Sequence, residues 1–213
     1  MILAIILLAI PMNGYVMRIY RGEKSAPEVD RWGRLFIDGL KLMVVAFIYS
    51  IPIGVIWLVT CGAMMAAIFS GHASAATMSG WTPNLGLMML MYVIEFAVAL
   101  VLPVASIRFA RSNSFSEAFR FRAIVDQIRK IGWINYVIGI FVVAILIAVP
   151  VMILVFVFVI LGIFLAVLTN FRLVAILGLI AVAVLLFLIL APLFMVFQAH
   201  YWTRLYDSAV PVE

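Results

Sequence analysis

Long apolar runs, broken at only a few points, organise this chain. The first extends from about Ile2 to Met17, the second from about Leu42 to Ser70 and the third from about Leu85 to Phe109. From Trp133 to Trp202 the sequence is nearly uninterrupted hydrocarbon, far more than the roughly 20 to 25 residues that one span needs. That stretch must fold back on itself. Its one polar cluster, Thr169-Asn170-Phe171-Arg172, is where a tight turn is expected. A fourth helix then covers about Trp133 to Leu168 and a fifth about Leu173 to Tyr201. The pattern predicts an all-α, polytopic membrane protein of about five transmembrane helices, forming a single integral membrane domain over residues 1–213.

Between the spans, two polar segments show a helical rather than a loop pattern. In the first, Trp32, Leu35, Phe36, Leu40 and Met43 recur on one face, with Arg31, Arg34, Asp38 and Lys41 opposite and Arg34 four residues from Asp38. Pro27 stops any helix continuing from the first span, and Asp30 is placed to act as an N-cap. In the second, Ser114-Phe115-Ser116-Glu117 has the form of a capping box, followed by an apolar stripe of Phe121, Ile124, Ile128 and Ile131. Both are expected to be amphipathic elbow helices lying in the headgroup plane. The halves also echo one another. Pro11 precedes Arg18-Ile19-Tyr20-Arg21, Pro103 precedes Arg108-Phe109-Ala110-Arg111, and each is followed by an elbow and another span. A parallel duplication, with a fifth helix added, accounts for this.

Composition agrees with the pattern: 68% of residues are apolar and 11% charged, against roughly a half and a quarter in soluble chains. The net charge of +5 raises the question of nucleic acid, but the cations sit in two clusters flanking apolar spans. Arg18, Arg21, Lys24, Arg31, Arg34 and Lys41 form one, and Arg108, Arg111, Arg120, Arg122, Arg129 and Lys130 the other. That is the signature of membrane orientation, so no nucleic-acid partner is expected. Both basic segments and the C-terminus are expected in the cytoplasm, with the N-terminus outside a plasma membrane. An odd number of spans is required, and five is odd. The N-terminal run lacks a basic segment before it and a small-residue cleavage site, so it reads as a retained helix rather than a signal peptide. It is short for a span, which implies local bilayer thinning or a start upstream of Met1. Cys61, the single cysteine, makes no intrachain disulfide and reads as a packing residue.

Glu95 is the strongest candidate for chemistry. It falls near the middle of the third span, with no cation in that span before Arg108. An ionised carboxylate there costs several kcal/mol, so the group is expected to be protonated, paired or beside water. It serves as a proton or cation site, or as a neutral hydrogen-bonding acid joining helices. Arg18, Arg21, Arg31, Arg34, Lys41, Arg120, Arg122, Arg129 and Lys130 are candidates for contacts with lipid headgroups or a partner. Pro11, Pro52, Pro103, Pro150 and Pro192 put one proline in every predicted span, an ordinary feature of membrane helices. His72 and His200 are assigned to opposite sides of the membrane and cannot share a metal or haem. No cofactor is expected.

Nucleotide-binding, serine-hydrolase, zinc-protease and dithiol motifs are absent, as are paired intramembrane carboxylates. Enzymatic activity is therefore not expected, interfacial lipid chemistry being the weakest of the readings. Gly14-Tyr15, Arg18, Arg21-Gly22-Glu23, Pro27-Glu28, Trp32-Gly33, Phe36, Asp38-Gly39, Tyr49 and Pro52, with an echo at Arg108-Phe109-Ala110 and Ala118-Phe119, form a further pattern. It resembles the family known as domain of unknown function 4013, small polytopic membrane proteins of archaea and bacteria. Ala26 stands where the family tends to have leucine. The resemblance implies a helical membrane protein and carries over no site residues. The expected role is a non-enzymatic accessory or scaffold subunit, packing against other membrane proteins, itself or lipid; the alternative is a small transporter or channel using Glu95.

Overall fold

The computed structural model describes residues 2–22, 32–71, 84–168 and 172–209. Among them every regular element is helical: α1 (Ile2–Tyr20), α2 (Trp32–Phe69), α3 (Leu85–Ser112), α4 (Phe115–Ala118), α5 (Phe121–Ile131), α6 (Trp133–Leu168) and α7 (Arg172–Asp207). Four contain stretches long and apolar enough to cross a membrane: Trp32–Gly62, Leu85–Ser112, Trp133–Phe164 and Val182–Asp207. A helix is what such sequences adopt in lipid, because it satisfies each backbone N–H and C=O within the segment. At 36 residues each, α6 and α7 are about 54 Å long, well beyond the ~30 Å hydrocarbon core. They end and begin at Leu168 and Arg172, on either side of the polar cluster expected to turn; Thr169, Asn170 and Phe171 lie outside the described residues. All five long helices run through their internal proline.

Local chemistry sets several of the ends. Helix α3 starts at Asn84, whose side-chain oxygen accepts from the Leu87 N–H at 3.1 Å, and stops at Asn113, which turns left-handed with φ 53°. Gly132 separates α5 from α6. It sits at φ +95°, and its N–H bonds back to the Ile128 and Arg129 carbonyls. Glycine adopts that backbone without a steric penalty.

Helices α1, α3 and α7 all finish at one end of the molecule, and α2 and α6 start there. Arg111 joins the Tyr20 carbonyl to Asp207, and the Tyr136 hydroxyl of α6 donates to the Leu100 carbonyl of α3 at 2.7 Å. The core concentrates at this end, around the fully buried Met17, Val45, Ile107, Phe109, Ile124 and Tyr136. Away from it the helices expose Leu58, Met89, Phe156 and Ile163. At most 17% of any span's most apolar window is buried, so lipid or another protein must cover these surfaces. The tightest contact joins α1 to α2, which run antiparallel. A Cβ on Gly14 would lie 1.9 Å from the Leu35 carbonyl oxygen, and one on Gly39 1.8 Å from that of Ile10. Only glycine allows these backbones to touch.

The two elbows differ from expectation in an instructive way. The second exists as a separate helix, α5, with Ile124, Ile128 and Ile131 buried as its stripe predicted and Phe121 exposed. The first is not separate: residues 32–43 are the opening turns of α2 and continue without interruption into the second span. Gly39, the glycine nearest Lys41 and Leu42, stays helical against α1 and does not supply the break that Gly132 provides at positive φ. The buried face is also rotated from the predicted stripe, to Leu35, Asp38, Gly39, Leu42, Val45 and Tyr49, leaving Trp32, Phe36 and Leu40 exposed. The Gly39 contact with α1 dictates that rotation. Pro27, Asp30 and Arg31 lie outside the described residues.

Replacing Gly39 with leucine should drive α1 from α2 and lower the thermal unfolding midpoint in mild detergent, overpacking of this kind costing about 1–3 kcal/mol. Gly54→Leu, with nothing within 4 Å of its added Cβ, should not move the midpoint. Equal melting of the two variants would show that the close approach contributes nothing.

Candidate functional site

Helices that end together create a shared electrostatic problem. The last carbonyls of each have no partner within their own helix, and the aligned peptide dipoles place negative charge there. The basic residues answer it by reaching across to neighbouring helices. Arg21 Nε donates to the Ala110 carbonyl of α3 at 3.3 Å, and Arg111 Nε donates to the Tyr20 carbonyl of α1 at 3.1 Å. The Gln127 amide donates to the Tyr206 carbonyl of α7 at 3.4 Å, and the Tyr49 hydroxyl to the Ala118 carbonyl of α4 at 2.6 Å. Each Arg also holds a carboxylate: Arg21 with Asp38 and Arg111 with Asp207, both at 2.7 Å. The Arg111 guanidinium lies 4.7 Å from the Tyr206 ring centre, a cation–π contact.

Glu117 is the third carboxylate of this end, bonded to both Arg108 and Arg120. The capping box is not realised. Ser114 makes no side-chain cap bond, its hydroxyl pairs with that of Ser116, and Glu117 turns to the two arginines, a stronger and charge-assisted arrangement. Hydrogen bonds from Arg120 and then Arg108 hold the Glu117 carboxyl below the ordinary glutamate range, and Glu117 in turn raises Arg120. Arg108, Arg111, Ser112, Glu117 and Tyr206 line a polar cavity of about 300 Å³. Its two guanidinium charges are already matched by Glu117 and Asp207.

The structure brings some predicted site residues together and scatters others. Arg18 and Arg21 are packed into the basic end, the former buried. Asp38 pairs with Arg21 rather than with Arg34, which is exposed. Lys41 is half-buried, Arg120, Arg122, Arg129 and Lys130 are exposed, and Arg31 lies outside the described residues. Glu95 is remote from all of them, on an exposed face of α3. His200 stays local, its Nδ1 2.9 Å from the Val196 carbonyl oxygen; His72 lies outside the described residues. Among the described residues no group of His, Cys, Asp or Glu is placed to hold a metal ion. Sequence reasoning did not name Arg108 and Arg111 as site residues, and it missed Glu117 and Asp207 as their partners and Asp38 as the partner of Arg21. The partners of Arg21 and Arg111 are 17 and 96 residues away, and no spacing rule reaches that far.

Since Glu117 has a depressed folded-state pKa, its contribution is present above the unfolded glutamate value of about 4.3. It is lost as pH falls through the lower folded value. Unfolding midpoints followed from about pH 6 down to about pH 3 should fall more steeply for the native chain than for Glu117→Gln. Parallel curves would mean that the two Arg bonds add no pH-dependent stability.

Apolar helices joined at one charged end fit a membrane protein of unknown activity. No curated protein and no solved structure matches the chain. A family model described as protein of unknown function (DUF4013) matches residues 1–159, which takes in Gly14 to Pro52 as well as Arg108 to Phe119. The chain belongs to this family.

Proposed function

We propose that the protein is a non-enzymatic accessory subunit that packs the exposed parts of its spans against another membrane protein in the plasma membrane. Glu95 carries this reading. It sits on an exposed face of α3, one turn from the exposed Tyr92 and beside Phe96, in a span whose most apolar window contains no fully buried residue. A carboxyl group turned toward hydrocarbon is costly when ionised and lacks a partner when neutral. A neighbouring helix that offers a donor or a cation removes both difficulties. The scarcity of other polar groups in the spans favours packing over translocation, for which a pathway normally needs several.

In this reading α1 is the first of five crossings, the basic end faces the cytoplasm and the N-terminus lies outside. The Arg-rich ends support the orientation, and the alternating directions of α1, α2, α3, α6 and α7 support the count.

Purification in mild detergent followed by mass spectrometry should recover a stoichiometric second protein, and Glu95→Leu should release it. A lone monomer or homo-oligomer that conducts ions in liposomes would instead favour the small transporter or channel with Glu95 at its proton or cation site. For the orientation, an impermeant amine reagent applied to sealed, right-side-out cells should leave both Lys24 and Lys130 unlabelled. Reaction at one alone would place the two basic segments on opposite sides.

A further inference from the structure

A second cavity, of about 390 Å³, opens between α3, α6 and α7. Its walls are hydrocarbon, from Ala99 and Pro103 of α3 and Val143 and Ala148 of α6 among others, and its only polar side chains are Gln198 and Trp202 of α7. Trp202 is 5% exposed, and among the described residues its buried indole nitrogen has no hydrogen-bond partner. Two tyrosine rings pack against the indole, Tyr201 at 5.6 Å and Tyr136 at 5.8 Å between ring centres, and neither hydroxyl accepts from its N–H. An indole N–H only donates, so what is missing is an acceptor. Gln198 stands one turn before Trp202 on the same face and adds an amide to the same wall.

We infer that this cavity binds a membrane lipid, with one hydrocarbon chain along the apolar wall and an oxygen of its glycerol linkage accepting from the Trp202 indole N–H. Water does not fit, because an ordered water needs two to four polar partners and the walls supply almost none. The volume lies in the range of small-molecule sites, about 300–1,000 Å³. Depth agrees as well. Trp202 is five residues from Asp207, about 7.5 Å along the helix, and Asp207 pairs with Arg111 at the charged end. That places the indole at the interfacial level where glycerol linkages lie and Trp side chains are enriched. From there the α6 wall leads away from the charged end, Ile140 to Val151, over about 16 Å. The two ends of the cavity thus match the two ends of a lipid tail. This inference does not depend on the accessory role.

The test uses the full-length protein reconstituted in phosphatidylglycerol vesicles, returned to mild detergent and weighed by native mass spectrometry. A diester lipid and its diether analogue of equal chain length are run separately, which identifies the linkage that supplies the acceptor. With at least one of them, one lipid should stay bound per chain. Trp202→Phe, which keeps an aromatic ring and removes the N–H, should weaken retention about tenfold, the scale of one hydrogen bond. Ala148→Phe should fill the cavity and abolish retention, whereas Ile153→Phe, on an exposed face, should not change it. Helical circular dichroism of each variant confirms that it is folded. The inference is overturned if the native chain carries no lipid, if folded Trp202→Phe and Ala148→Phe hold lipid as well as the native chain does, or if an isoprenoid quinone from the host membrane is the resident molecule instead.

Discussion

The reciprocal bond between the ends of α1 and α3 is the constraint on which the remaining architecture rests. Arg21 reaches the Ala110 carbonyl while Arg111 reaches the Tyr20 carbonyl, so each helix terminates the other. Without this exchange, parallel helices would present their negative dipole ends side by side with carbonyls unsatisfied. The same two arginines then extend the junction outward, Arg21 to Asp38 of α2 and Arg111 to Asp207 of α7. Exposed ion pairs contribute little individually. These do more because each guanidinium satisfies a helix terminus as well as a carboxylate, and because they sit over the buried Met17, Ile107 and Phe109. Arginine suits the task for a geometric reason: its planar fork can address two acceptors at once, which a lysine ammonium does less well.

From that junction follows a molecule that is well packed at one end and open elsewhere. Four helices are tied where they meet and then run outward as largely unpacked rods. In water such a form would collapse, but in lipid there is no hydrophobic drive to bring the rods together. Their separation is therefore set by whatever polar or small residues they carry. Gly14 and Gly39 close α1 onto α2. On the other side, α3 and α6 are held by Tyr136 on Leu100, and the cavity opens beyond that bond. Glu95, one turn before Ala99 of the cavity wall, belongs to the open part of the structure.

The apolar runs made the helices legible, because in lipid a long hydrocarbon segment has one viable backbone conformation. The reversal of direction between α6, ending at Leu168, and α7, starting at Arg172, was legible from the one polar break in the run, and the stripe of Ile124, Ile128 and Ile131 from its local periodicity. Tertiary choices were not. Arg34 sits at an ideal distance from Asp38, yet Asp38 takes Arg21, because the Gly39 contact turns that face of α2 toward α1. Ser114 to Glu117 reads as a capping box, yet two arginines outcompete the Ser114 cap for the Glu117 carboxylate. Trp202 reads as an ordinary interfacial aromatic; only the packing around it reveals that its N–H has no acceptor. In each case a local signal was correct about residue type and silent about the competitor.

The resemblance between the two halves explains how one pattern yields both a closed and an open side. Arg18-Ile19-Tyr20-Arg21 and Arg108-Phe109-Ala110-Arg111 are not merely similar: the last arginine of each bonds the carbonyl of the third residue of the other. Two parallel helices that exchange the same bond are related by an approximate two-fold axis along the bundle, the arrangement expected of a parallel duplication. The halves diverge at one residue type. Gly132, at φ +95°, lets the second half turn sharply after α5, whereas in the first half α2 runs straight on from Trp32 and stays pressed to α1. A straight α2 leaves no room beside α1. A redirected α6 diverges from α3, and the added helix α7 brings Gln198 and Trp202 into the gap without filling it. The two halves thus differ in where glycine is placed: Gly14 and Gly39 close the first half, and Gly132 redirects the second, beside which the cavity lies.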